Sequence, residues 1–142
     1  MRYLLDTNVI SEWIKPRPDA LVERWMRDAD EDSLWISVAT FAELRQGIEI
    51  MGQGPRRAAL EDWLENELPA RFDGRIIGID LSVASAWGIL RARSLKAGHA
   101  MEGMDAFLAA VAQVWGLTLV TRNIKDFERA GIDLLNPWQA PN

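Results

Sequence analysis

Tyr3-Leu4-Leu5-Asp6-Thr7-Asn8 is an apolar run that stops on an acid. A second acid, Asp105, opens the apolar stretch Asp105-Ala106-Phe107-Leu108-Ala109-Ala110-Val111. A third run, Leu117-Thr118-Leu119-Val120, ends on the polar cluster Thr121-Arg122-Asn123. The first and third read as short buried strands, and parallel strands bring their polar ends to one edge. In open α/β sheets ligands bind at that edge, the carboxyl ends of the strands. Acids gathered there suit a hard divalent cation, and such a cation suits phosphate chemistry.

Around these runs the period switches repeatedly between strand and helix. Arg2–Leu5 reads as a strand and Val9–Ile14 as a short helix closed by Lys15-Pro16-Arg17-Pro18. Asp19 is placed to cap a helix over Ala20–Ala29, with Leu21, Val22, Trp25 and Met26 on one face. Leu34–Ile36 is a brief strand, and Ser37 or Thr40 starts a helix to about Met51. Arg56–Leu68 is amphipathic and is expected to stop at Pro69. Arg75–Ile79 reads as a strand and Leu81–Ala97 as a helix capped by Asp80. Asp105–Trp115 is expected as helix, Leu117–Val120 as strand, Asp126–Ala130 as a short helix and Leu134–Leu135 as an edge strand. Strands alternating with helices predict an α/β fold, a short central parallel sheet between helical layers, with residues 1–142 as one domain.

The composition, 49% hydrophobic and 26% charged, is globular and argues against disorder. With no cysteines, disulfides, thiolate zinc and a cysteine nucleophile are excluded. The N-terminus does not read as an export signal, and no apolar stretch is long enough to span a bilayer, so a soluble cytoplasmic protein is expected. A formal charge of −5 argues against coating nucleic acid by bulk electrostatics. A metal-dependent nuclease escapes that objection, because bound cations reverse the sign of its acidic site. Its groove would draw on local cations such as Lys15, Arg17, Arg45, Arg91, Arg93, Lys96, Arg122 and Lys125, although each alone reads as a solvated helix face. Gly52-Gln53-Gly54 lacks the third glycine of a dinucleotide loop and follows a helix, and no GxxxxGK[ST], GxSxG or HExxH occurs.

Each acid also has a plainer reading. Asp6 would cap the next helix, and Asp105 would be favoured by a helix dipole. Thr40-Phe41-Ala42-Glu43 matches a capping box, although Val38 and Ala39 look helical already after Ser37. Asp126 reads as the cap of the last helix. Gly47 shares a face with Glu43 and would let a substrate backbone approach. As a set, however, the acids suit phosphodiester hydrolysis, which needs activated water and neutralised charge at phosphorus. Thr7 and Thr121 are hydroxyls able to orient water or a carboxylate, and Asn8 and Asn123 add neutral oxygen and amide groups. His99, the single histidine, reads as a loop residue rather than a general base. The tryptophans read as core and dimer-contact residues, with Trp13 set apart as a candidate contact to a nucleobase or a partner.

Four segments then carry a resemblance. They are Leu4-Leu5-Asp6-Thr7-Asn8-Val9-Ile10-Ser11, Ser37 to Gly47, Met104-Asp105-Ala106-Phe107-Leu108-Ala109-Ala110, and Leu119 to Phe127. Together with Leu134-Leu135-Asn136-Pro137-Trp138, they resemble PIN-domain ribonucleases of the bacterial VapC toxin type, in the pattern of the FitB-like subgroup. The resemblance implies a PIN-like three-layer α/β/α fold and an Mg²⁺- or Mn²⁺-dependent endoribonuclease that leaves a 5′-phosphate. By the same likeness Asp6 and Asp105 are the principal metal ligands and Glu43 the third acid. Many relatives carry T-x-D at the end of the fourth strand, where this chain has Thr121-Arg122-Asn123. A second metal is therefore expected to bind more weakly, with Asp126 the nearest substitute acid. The same resemblance implies an RNA substrate, the toxin role in a type II toxin–antitoxin pair, a small cognate antitoxin covering the acidic site, and a homodimer. Helices bearing Trp13, Trp25 and Met26 are expected to anchor that antitoxin. Two alternatives stand beside it. One is a catalytically silent PIN-like module that binds RNA or a partner. The other is an aspartyl phosphatase, disfavoured because Asn8 occupies the position of its second aspartate.

Overall fold

In a computed structural model that describes residues 1–140, five parallel strands form one sheet in the order β3-β2-β1-β4-β5. They are β1 (Tyr3–Leu5), β2 (Leu34–Ser37), β3 (Ile76–Ile77), β4 (Thr118–Val120) and β5 (Leu134–Leu135). β1 pairs with β2 on one side and β4 on the other, with Leu5 in register with Val120. The chain winds outward from β1 through β2 to β3, then crosses back to β4 on the opposite side of β1. The strand order therefore reverses between β1 and β4, which is where open sheets of this kind form their crevice.

Side chains alternate across the pleat and feed two cores. Leu5, Ile36 and Val120 pack with α1 (Thr7–Trp13), α2 (Ala20–Asp28) and α3 (Val38–Ile50) on one face. Leu4, Ile77 and Leu119 pack on the other face with α6 (Leu81–Lys96), α7 (Gly103–Trp115) and α8 (Ile124–Phe127). This is the expected three-layer α/β/α arrangement. Each fully buried Leu or Phe in these layers contributes about 1.5–3 kcal/mol. Gly116, at φ 64°, takes the left-handed turn that carries α7 into β4. Among the described residues no helix is long and apolar enough to cross a membrane.

Several boundaries differ from expectation. The segment after Gly54 does not stop at Pro69. It runs as α4 (Pro55–Asp62), a π-helical stretch over Trp63–Glu67 and α5 (Leu68–Arg71). The Leu68 N–H bonds back to Trp63 O, and Pro69 then sits in the first turn of α5, where a missing N–H costs nothing. The third strand is trimmed to two residues. Of the three residues expected to anchor an antitoxin, one is buried and two are half-buried against the core. Met26 is buried, Trp25 packs edge-on against Tyr3 at 5.0 Å, and Trp13 packs on the same core with the Arg71 guanidinium 4.1 Å above its ring. The last two residues of the expected 1–142 domain lie outside the described residues.

Candidate active site

The crevice begins with Asp6. It leaves β1 in extended conformation and caps α1, its Oδ1 accepting the Thr7 N–H at 2.6 Å. The capping reading and the site reading are thus both satisfied by one residue, because only one carboxylate oxygen is used by the cap. The other, Oδ2, accepts the Thr121 hydroxyl at 2.7 Å from the end of β4 and the Asn8 side-chain amide at 3.4 Å. Asp6 is only 5% exposed, and burial raises its pKa; the Thr121 and Thr7 bonds oppose that shift, while Glu43 and Asp126 add to it.

Glu43 is not used in a capping box. Ser37 caps α3 by accepting from the Ala39 and Thr40 N–H groups, so the helix starts before Thr40. Glu43 lies one turn further in and accepts the Thr7 hydroxyl at 2.8 Å. Thr7 therefore links two acids, Asp6 through its backbone and Glu43 through its side chain.

Asp105 does not open its helix either. Glu102 caps α7, accepting from the N–H groups of Met104 and Asp105, and the Asp105 carboxylate is free of that task. Its pKa is raised to about 7, first by burial and then by Asp6, Glu102, Asp126 and Glu43. Asp126 is likewise not a cap. α8 starts at Ile124 after Asn123, and Asp126 lies within it, close enough to act on both Asp6 and Asp105. The Asn123 N–H donates to Thr121 Oγ at 3.0 Å, which holds the 121–123 turn against Asp6.

Asp6, Glu43 and Asp105 line one cavity of about 390 Å³ with Asn8, Asn123 and Thr7. Ser11, the last residue of the first motif, and Glu12, which lies outside every motif, also line it. The one signal for Glu12 is helical spacing, since it stands four residues after Asn8. Glu12 is buried, accepts the Asp19 N–H and pairs with Lys15 at 3.0 Å, which keeps it below the usual carboxylate range and holds Lys15 at the mouth. Arg122 and Trp138 also line it, the guanidinium 5.3 Å from the ring. His99 lies outside this cleft, exposed in the connection between α6 and α7. A neighbouring groove of about 490 Å³ shares Thr7, Glu43 and Lys15 with it and runs past Ile14, Leu44 and Trp63. Gly47 lines that groove, and a methyl group there would meet nothing within 4 Å, so the chain itself does not require glycine at this position.

The donor set is all oxygen, which suits Mg²⁺ or Mn²⁺ and not a soft metal. Burial and mutual repulsion raise the pKa values of Asp6 and Asp105, and a cation in the cleft would favour their charged forms. Among the described residues no three acidic or histidine side chains stand close enough to enclose an ion unaided. Magnesium, which keeps several waters and takes only one or two carboxylates, fits such an open arrangement.

The comparisons with known proteins agree with this geometry. The model of the PIN domain matches residues 3–133. The chain is 37% identical over 136 residues to "VapC ribonuclease Y4jK" of Sinorhizobium fredii, covering 96% of this chain and 97% of that protein. It is 34% identical over 135 residues to "Toxin FitB" of Neisseria gonorrhoeae, covering 95% and 97%. The crystal structure of FitAcB from Neisseria gonorrhoeae superposes with a TM-score of 0.90 at 33% identity, over 97% of this chain and 99% of that one. With a family model spanning most of its length and relatives of this identity along nearly all of it, the chain belongs to the PIN-domain family.

Proposed function

We propose that this chain is a PIN-domain endoribonuclease, a hydrolase of RNA phosphodiester bonds, and the toxin of a type II toxin–antitoxin pair. The observation that carries the reading is the convergence of Asp6, Glu43 and Asp105 on one cleft at the crossover of the sheet. The relatives named a ribonuclease and a toxin support the same reading. In it, residues 1–142 act as one PIN-like unit.

Asp6 and Asp105 would hold Mg²⁺ or Mn²⁺, with Glu43 reaching the ion directly or through water. When bound, the cation supplies the positive charge that stabilises the transition state at phosphorus and makes a water more acidic. Thr121 and the Thr7 N–H fix the Asp6 carboxylate, and the Thr7 hydroxyl fixes Glu43, so the ligands enter with little freedom left to lose. Asn123 and Asp126 border the site, and with no carboxylate at 123 the arrangement favours one strongly held ion. Lys15, oriented by buried Glu12, offers a positive charge to the entering phosphate.

The partner in this reading is an antitoxin segment with an arginine or lysine that pairs with the acids and displaces the cation. The adjoining groove past Ile14, Leu44 and Trp63 would take its apolar residues. The exposed Ile76 on the edge strand β3, with Ile79 and Leu81 just after it in the chain, supports a homodimer contact on that side. The silent-module alternative draws on Asn123, but the three remaining acids are all present in the cleft.

The test is cleavage of a mixed RNA pool by the purified protein with Mg²⁺, Mn²⁺ or chelator, with product ends mapped. Cleavage with metal, 5′-phosphate ends and none with chelator are expected. Binding without cleavage under every condition would favour the silent module.

A further inference from the structure

The three acids of the cleft are not held in the same way. Asp6 is fixed through its carboxylate by Thr121, Asn8 and the Thr7 N–H, and Glu43 by the Thr7 hydroxyl. Among the described residues the Asp105 carboxylate accepts no hydrogen bond, so its place in the cleft is set by the backbone that carries it. Ala106, Leu108 and Ala109 anchor the body of α7 in the core. The first turn, which carries Asp105, follows a connection over 97–102 whose residues are exposed apart from half-buried Met101.

That first turn is gripped from α6. Trp87, Arg91 and Ser94 stand four and then three residues apart, on one face of the helix. Trp87 Nε1 donates to Gly103 O at 2.9 Å, and the Arg91 guanidinium donates to Met101 O. Ser94 Oγ accepts the Met101 N–H at 3.0 Å. Beyond Asp105, the Trp87 ring stacks on Phe107, with centroids 5.1 Å apart and planes 21° from parallel. Contacts at 101, 103 and 107 therefore bracket Asp105 on both sides. The Arg91 guanidinium lies 5.8 Å from the centre of the Trp87 ring, so the two donors also brace each other. Arg91, expected from the sequence as a cation of the groove, is committed instead to a backbone carbonyl.

We propose that Trp87 and Arg91 are positioning residues for the reaction, acting through the 101–103 backbone and Phe107 to hold Asp105 where it shares a cation with Asp6. The proposal rests on the metal-dependent nuclease reading and adds residues, outside the cleft, on which the metal site depends. Groups that orient metal ligands without touching the ion change its affinity when they are lost.

The test is titration of Mn²⁺ into the full-length chain, with the free ion followed by electron paramagnetic resonance. Urea denaturation in chelator and steady-state RNA cleavage are measured beside it. Trp87→Phe keeps a ring against Phe107 and removes the donor to Gly103. It alters no charge, so its effect cannot come from a lost phosphate contact. Combined with Arg91→Met, it is expected to weaken Mn²⁺ binding roughly tenfold. In the same variant kcat should fall while KM for RNA stays near the wild-type value. Trp87→Phe alone should show a smaller loss in the same direction, and it decides the question should the double variant not fold. Arg91→Lys, which keeps a donor, should bind Mn²⁺ nearly as the wild type does. Ser85→Ala, on the exposed side of α6, should change nothing. Wild-type Mn²⁺ affinity in the variants would overturn the proposal, and a loss of stability in urea without a loss of affinity would assign the two residues to the fold alone. A raised KM with unchanged kcat would also overturn it. A wild-type chain that neither binds Mn²⁺ nor cleaves RNA would instead reject the nuclease reading on which the proposal rests.

Discussion

Thr121 donates its hydroxyl to Asp6 Oδ2 at 2.7 Å, joining two residues 115 positions apart at the ends of adjacent strands. The bond is fully buried and spans the point where the strand order reverses. It fixes one oxygen of a carboxylate that burial would otherwise push toward its neutral form. Sheet topology and site chemistry therefore meet in this pair.

Thr121→Val keeps the volume but removes the donor. The Asp6 carboxylate would lose a charge-assisted hydrogen bond, which is worth about 1.5 kcal/mol or more. Its pKa should rise further, because the Thr121 bond lowers it. Urea denaturation should show the lost stability, and RNA cleavage should fall with it. Wild-type stability and rate in Thr121→Val would show that the bond does not position Asp6.

Asp105 sets an expected pH dependence. Its pKa is about 7 in the folded chain against an ordinary value of 3.8. Between those values the native state keeps a proton that the unfolded chain has released, so stability falls as pH rises through this window. The metal-free protein should therefore be less stable at pH 8 than at pH 5, and Asp105→Asn should flatten that slope. Glu12, shifted downward by Lys15 and the Asp19 N–H, acts at lower pH and does not mask the effect. Denaturation in chelator across this range checks the sign. A wild-type slope retained in Asp105→Asn would place the titration elsewhere.

Asp6→Asn and Asp105→Asn should each abolish cleavage while preserving the fold. In the absence of metal both should melt at or above the wild-type temperature, because each removes a carboxylate from a cluster that repels itself. Circular dichroism melts and RNA cleavage with saturating Mg²⁺ test the two halves separately. Cleavage at the wild-type rate by either variant would reject the site assignment.

The strand ends, Asp6 and Asp105 stand out in the sequence because each follows or opens an apolar run, whereas Glu43, inside α3, enters only through the resemblance. The local duties of these acids are not legible there. Asp105 resembles a cap because it stands beside an apolar helix, whereas Glu102, an unusual capping residue, takes that place and leaves Asp105 free. Asp126 misleads in the same way, because nothing in the local sequence shows that α8 starts at Ile124. Trp13 looks available beside Lys15 and Arg17, but Arg71, distant in sequence, covers its ring. Glu12 carries a periodic signal four residues from Asn8, yet its pairing with Lys15 and the Asp19 N–H depends on how the chain turns after α1. Pro69 suggests a helix stop because the π-helical stretch before it cannot be read from propensity.

That Asp6, Glu43 and Asp105 together hold a divalent cation is tested most directly by thermal melting with and without saturating Mn²⁺. A ligand that binds only the native state raises the melting temperature by linkage, and relief of repulsion among the acids adds to that rise. A clear rise is expected for the wild-type chain and none for Asp6→Asn. Equal rises in both proteins, or no rise in the wild type, would contradict the assignment.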